Sequence, residues 1–127
     1  MSRCFLLAGA LYGFAGVLLG AFAAHALRGL LSPAMLGVWD TAVRYQFWHA
    51  LALLIVGMLL RQAQNCWLTA AGWAFVLGVL LFCGSLYLLA WSGIGWLGAI
   101  TPFGGLSLLA GWIFLLAAVA RARSLLD

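Results

Sequence analysis

The chain contains no lysine and no glutamate, and its only acids are Asp40 and Asp127. Charged residues make up 6% of the sequence, whereas 68% is hydrophobic. A water-soluble domain carries about 25% charged residues, so this chain cannot cover a surface of its own size facing water. Strict polar–apolar alternation is also missing, which excludes the strands of a transmembrane β-barrel. The three cysteines, Cys4, Cys66 and Cys83, have no metal-ligand spacing and cannot all pair with one another. Catalytic signatures such as HxxxD, HExxH, GxSxG and a phosphate-binding loop are absent. No metal and no cofactor is therefore expected. The formal charge of +4 comes from arginines that punctuate hydrophobic runs. That pattern points to membrane orientation rather than to a nucleic-acid partner.

What remains is an all-α integral membrane protein. About 20 helical residues cross a hydrocarbon core of about 30 Å, so 127 residues allow four spans with short connections. The spans are expected at about 4–27, 41–61, 67–91 and 102–122, in a single four-helix transmembrane domain covering 1–127. The first run begins after Arg3 and ends near AFA (21–23) and AHA (24–26), as a signal peptide can. It exceeds the roughly 7–15 apolar residues of such peptides, and a retained span is expected. Ser32-Pro33 reads as a helix start, because Ser caps free N–H groups and Pro suits the first position. A helix from Pro33 to Arg61 would run about 43 Å at 1.5 Å per residue. The second span therefore carries an N-terminal extension from 33 that lies outside the core or along its surface. RQAQNCW (61–67) is the polar connection, and Trp67 and Trp91 mark the ends of the third span. SGIGWLGAITPFGG (92–105) reads as a glycine-rich loop, and Thr101-Pro102 repeats the cap-plus-proline start. With four spans, Arg3, Arg61, Arg121 and Arg123 fall on one side. By the positive-inside rule that side is cytoplasmic, and it holds both termini.

Small residues are spaced for close helix packing. Gly9, Gly13, Gly16, Gly20 and Ala24 fall within about an 80° stripe of the first helix. Ala74 and Gly78 on the third helix, and Ser107 and Gly111 on the fourth, offer similar pairs. Small-xxx-small patterns let backbones approach, either within one chain or between copies.

The segment WDTAVRYQFWHALALL (39–54) places Asp40, Arg44 and His49 at the start of a very hydrophobic run. Counting from Arg61 at 1.5 Å per residue puts His49 about 18 Å up, Arg44 about 25 Å and Asp40 about 31 Å. The same counting places His25, Ser85, Tyr87 and Thr101 near the outer surface. The expected polar cluster is thus His25, Asp40, Arg44, Tyr45, His49, Ser85, Tyr87 and Thr101, converging on the outer leaflet. Asp40 and Arg44 are spaced i, i+4 and can pair, or Arg44 can extend to the lipid headgroups. His49 lies too deep for headgroups and must find a partner inside the bundle. That partner is a backbone carbonyl in one reading, and His49 is a proton carrier in the other. On an ideal helix His25 points about 160° from Gly9, towards lipid unless the first helix ends or bends before it.

Four stretches in order, GAFAAHAL (20–27), TAVRYQFWHALALL (41–54), FCGSLYLLAWSG (82–93) and ITPFGGLSLLAGW (100–112), resemble the domain of unknown function 423 over nearly the whole chain. That family comprises small bacterial inner-membrane proteins with a eukaryotic transmembrane counterpart. Its signature positions correspond to His25, Arg44, Tyr45, His49, Gly84, Ser85, Tyr87, Thr101, Pro102, Gly104 and Gly105. The resemblance implies a four-helix inner-membrane protein and no particular activity. The residues themselves leave three functions. The first is a non-enzymatic accessory or structural component contacting the bilayer and either another membrane protein or a second copy. The second is a small transporter or proton pathway through the polar cluster. The third is an outer-leaflet lipid-modifying enzyme using residue types such as His25, Asp40, His49 and Ser85.

Overall fold

A computed structural model describes residues 1–121. The expected end of the fourth helix at 122 and Arg123 lie outside them. Four long helices follow one another: α1 (Ser2–His25), α2 (Pro33–Gln62), α3 (Cys66–Ser92) and α4 (Thr101–Arg121). All four are long and apolar enough to cross a membrane, and no strand occurs among the described residues. The protein is an all-helical membrane protein.

The helix ends follow from local chemistry, with three departures from expectation. α1 stops at His25 instead of 27, and a 3₁₀ turn follows at Leu27–Gly29. The tight turn buries Leu27 completely, in a small cluster with Trp39 and Ala90 at this end of the bundle. The second departure is in 92–105. Gly93 caps α3 at φ 70°, a left-handed conformation that glycine adopts without a Cβ clash. The chain then forms a second 3₁₀ turn, Gly95–Ala99, rather than an open loop, with Leu97 buried. Third, Thr101 does not cap α4. It is the first helical residue, and its hydroxyl pairs with Ser85 Oγ across the helix interface instead. Ser32 does cap α2, where its Oγ accepts the Met35 N–H at 3.2 Å. α2 is then unbroken for 30 residues, about 45 Å at 1.5 Å per residue. Asn65 Oδ1 caps α3 by accepting the Trp67 N–H at 2.8 Å.

The helices pack side by side in chain order, α1 on α2, α2 on α3 and α3 on α4. α2 is the most enclosed and α1 the least. The core runs along α2 and α3, through Leu53, Val56, Leu60, Leu68, Phe75 and Val79, and Phe5 of α1 inserts into it. Lipid supplies little hydrophobic force between helices, so close contact and hydrogen bonds must hold them. Glycine provides the contact on both sides. A Cβ at Gly9 would lie 2.9 Å from the Ala50 carbonyl oxygen, and one at Gly78 2.5 Å from Leu108. At Gly104 a Cβ would run into the Phe82 backbone nitrogen, so α4 meets α3 with no side chain between.

Candidate functional site

The central polar residue of the bundle is Gln46, which is 4% exposed. Its side chain joins three helices. Its Nε2 donates to the Tyr12 carbonyl of α1 at 2.9 Å, and its Oε1 accepts the Tyr87 hydroxyl of α3 at 2.8 Å. The Tyr12 hydroxyl continues to the Val76 carbonyl of α3 at 3.0 Å. Beside this network the Trp39 indole donates to the Leu19 carbonyl at 3.0 Å, and its ring meets Tyr87 edge-on at 4.7 Å. A primary amide offers both donors and an acceptor, so one residue can bind α1 to α3 through α2.

His49 lies one turn further along α2 and engages α4. Its Nε2 is 3.0 Å from the Trp112 indole nitrogen, and its Nδ1 is 2.6 Å from the Tyr45 carbonyl. Indole can only donate, and a carbonyl can only accept. Nε2 must therefore be the acceptor and Nδ1 must carry the proton, which defines the neutral Nδ1–H tautomer. Tyr45, Phe75 and Trp112 surround the imidazole with ring contacts.

Ser85 and Thr101 join α3 to α4. Ser85 Oγ donates to the Phe82 carbonyl at 3.0 Å, so across their 2.7 Å contact it accepts from Thr101 Oγ1. Ser107 donates to the Ala74 carbonyl at 2.8 Å, a second α3–α4 bond. Among the described residues, no buried side-chain nitrogen or oxygen lacks a partner.

The expected cluster therefore does not form one constellation. His49 joins α2 to α4, Tyr87 joins α3 to Gln46, and Ser85 joins Thr101. Asp40 and Arg44 lie on the outside of α2 as a 2.6 Å ion pair, with side chains 54% and 66% exposed. His25 ends α1 on the surface. Counting depth gave distance along the axis, whereas partnership depends on which side of a helix each group faces. Gln46, Tyr12 and Trp112 were missed. An uncharged amide four residues before Ala50 in an apolar run carries no charge signal, and Tyr12 and Trp112 are likewise uncharged and set in apolar runs. Of the packing positions, Gly9, Gly13, Gly16 and Gly20 face α2, Gly78 faces Leu108 and Gly111 faces Phe75. Ala24 is exposed.

Two grooves open sideways between helices. One, of about 360 Å³, lies over Tyr12, Gln46, Cys83, Gly84 and Tyr87. The other, of about 480 Å³, follows the α1–α2 seam over Gly16, Gly20, Val43 and Phe47, with Arg44 and Trp48 on its wall. At the opposite end of the bundle Arg3 and Arg61 share a small recess, and the Arg121 guanidinium stacks 4.6 Å from the Trp67 ring.

Four apolar helices tied together by their own polar side chains define a multi-span helical membrane protein. The chain belongs to the family described as Protein of unknown function (DUF423), whose model matches residues 19–105. It is 46% identical over 114 residues to the UPF0382 membrane protein SH2409 of Staphylococcus haemolyticus, covering 90% of this chain and 93% of that one. It is 40% identical over 120 residues to the UPF0382 membrane protein YwdK of Bacillus subtilis, covering 94% and 98%. A third relative, the UPF0382 membrane protein SAB0533 of Staphylococcus aureus, is 42% identical over 119 residues, covering 94% and 97%. No solved structure matches the chain.

Proposed function

We propose that the protein is a non-enzymatic accessory or structural component of the bacterial inner membrane. It acts by contact with another membrane protein or a second copy of itself, and both termini face the cytoplasm. The observation that carries this reading is the state of His49, the one ionisable imidazole inside the bundle. Both of its nitrogens are committed, one to Trp112 and one to Tyr45. A base or proton carrier must hydrogen-bond a group that can give up or take its proton, and an indole N–H and a backbone carbonyl do neither. The same reasoning runs against Ser85 as a nucleophile, since its hydroxyl is held between Phe82 and Thr101. It also runs against a polar path, since the buried hydrogen bonds divide among separate helix contacts. The orientation is supported by Arg3, Arg61 and Arg121, which lie at the shared end of α1, α2 and α4.

The test is isolation of the intact complex. Native membranes carrying a C-terminally tagged chain are solubilised in a mild detergent and analysed by size and mass. The reading expects a stoichiometric second membrane protein or a defined homo-oligomer. A lone monomer, together with a solute or proton flux in proteoliposomes that His49→Ala abolishes, would overturn it.

A further inference from the structure

The groove along the α1–α2 seam has Arg44 in its lining, and Arg44 pairs with Asp40 one turn nearer the start of α2, a combination that goes beyond a structural role. Its floor is opened by Gly16 and Gly20 on α1, and Val43, Phe47 and Trp48 of α2 give it apolar walls. At about 480 Å³ it lies within the roughly 300–1,000 Å³ of ligand sites. Arg44 belongs to its lining. The Arg44 guanidinium reaches back along α2 to Asp40, 2.6 Å away. A guanidinium has five N–H donors, and one carboxylate can take two of them in a forked contact. At least three donors are left, and no other residue among the described ones holds them. They sit at the edge of the hydrocarbon core, about 25 Å from Arg61 by residue count, where lipid phosphates are the available acceptors.

We propose that this groove binds a zwitterionic phospholipid with a primary ammonium headgroup, phosphatidylethanolamine in chemical terms, in the leaflet next to the α1–α2 turn. One acyl chain lies along the seam, the phosphate accepts from Arg44, and the ammonium donates to Asp40. The order of charges carries the choice of lipid. The Asp40 backbone lies one helical turn nearer the headgroup side than that of Arg44, about 6 Å along the axis, and the Arg44 side chain spans that turn to touch the carboxylate from the Arg44 side. In the headgroup the phosphate is attached to glycerol and the ammonium lies beyond it. Positive below negative on the protein thus meets negative below positive on the lipid. An anionic lipid finds a pair of zero net charge, with a carboxylate beside its phosphate. A choline lipid presents no N–H to Asp40.

The experiment uses the full chain in vesicles of equimolar phosphatidylethanolamine, phosphatidylcholine and phosphatidylglycerol. The protein is extracted in mild detergent, and its retained lipids are weighed by native mass spectrometry. The expected result is enrichment of the ethanolamine lipid by roughly fivefold, the scale of one exposed charge contact. Asp40→Asn should keep a bound lipid but lose the preference for ethanolamine over choline. Arg44→Gln should lose retained lipid of every headgroup. An Asp40→Arg, Arg44→Asp double variant retains an ion pair but inverts its order, and it should lose the ethanolamine enrichment while unfolding at the wild-type midpoint. Retained lipid that mirrors the bulk mixture, a preference for phosphatidylglycerol, or ethanolamine enrichment that survives in Asp40→Asn or in the double variant would each overturn the proposal.

Discussion

Gln46→Leu is the sharpest probe of how this bundle is held. The change keeps approximate volume and removes an amide that is 4% exposed. Two interhelix bonds disappear, the 2.9 Å contact to the Tyr12 carbonyl and the 2.8 Å contact from the Tyr87 hydroxyl. Interhelix hydrogen bonds in membranes contribute about 0.6 kcal/mol each on average, so the two account for about 1.2 kcal/mol. The Tyr87 hydroxyl is also left without its acceptor, and a stranded buried polar group costs about 1–3 kcal/mol. The single variant should therefore lose about 2–4 kcal/mol, summing those two contributions. Reversible unfolding in mixed micelles, titrated with a denaturing detergent, gives that number. The companion variant Tyr87→Phe removes only the hydroxyl. In the double variant Gln46→Leu, Tyr87→Phe neither partner is stranded, so its cost should fall below the sum of the singles by at least the pair's own ~0.6 kcal/mol. Wild-type stability in Gln46→Leu, or strict additivity in the double variant, would refute Gln46 as the tie between α1, α2 and α3.

Other perturbations separate the remaining contacts. Gly104→Ala should destabilise by about 1–3 kcal/mol, because the new methyl runs into the Phe82 backbone. Gly84→Ala, where a Cβ meets open space in the lateral groove, should stay within about 0.5 kcal/mol of wild type in the same titration. Trp112→Phe retains one aromatic ring near Phe75 and His49 but deletes the indole N–H with its five-membered ring, leaving the buried His49 Nε2 without its donor. It should cost about 2–4 kcal/mol, the ~0.6 kcal/mol of the bond plus about 1–3 kcal/mol for the stranded nitrogen. Orientation can be read from native thiols, since Cys4 and Cys66 are both exposed at the Arg3–Arg61 end of the bundle. A membrane-impermeant maleimide should label neither in intact cells and both after permeabilisation, whereas Ser92→Cys at the opposite end should be labelled from outside.

The parts of this fold that could be read from the sequence are those set by local or one-dimensional chemistry. Span number follows from the length of apolar runs, the start of α2 from Ser32-Pro33, and the Asp40–Arg44 pair from its i, i+4 spacing. Position along the axis is also one-dimensional, and counting puts His49 well along α2, where its side chain is buried in the bundle. Angular position around the bundle depends on which helices are neighbours. With α1, α2, α3 and α4 packed in chain order, Gln46 turns to α1 and α3 while His49 turns to α4. Two residues only three apart thus belong to different contacts, and no periodicity in a uniformly apolar helix announces this. Thr101 illustrates a related ambiguity. A threonine before proline reads as a cap, yet a hydroxyl facing it from Ser85 gives it a partner across the interface. The early end of α1 leaves His25 exposed at the end of the bundle.

The central claim is that the intramembrane histidine is a tie between helices rather than a site of proton exchange. Nitrogen-15 NMR of histidine-labelled protein in bilayers at neutral pH tests it directly, with His25→Asn removing the other imidazole signal. The ring should be neutral, with the proton on Nδ1 and an unprotonated Nε2 that shifts when Trp112 is replaced by Phe. A doubly protonated ring, an Nε2-protonated ring, or an Nε2 signal indifferent to Trp112 would contradict it.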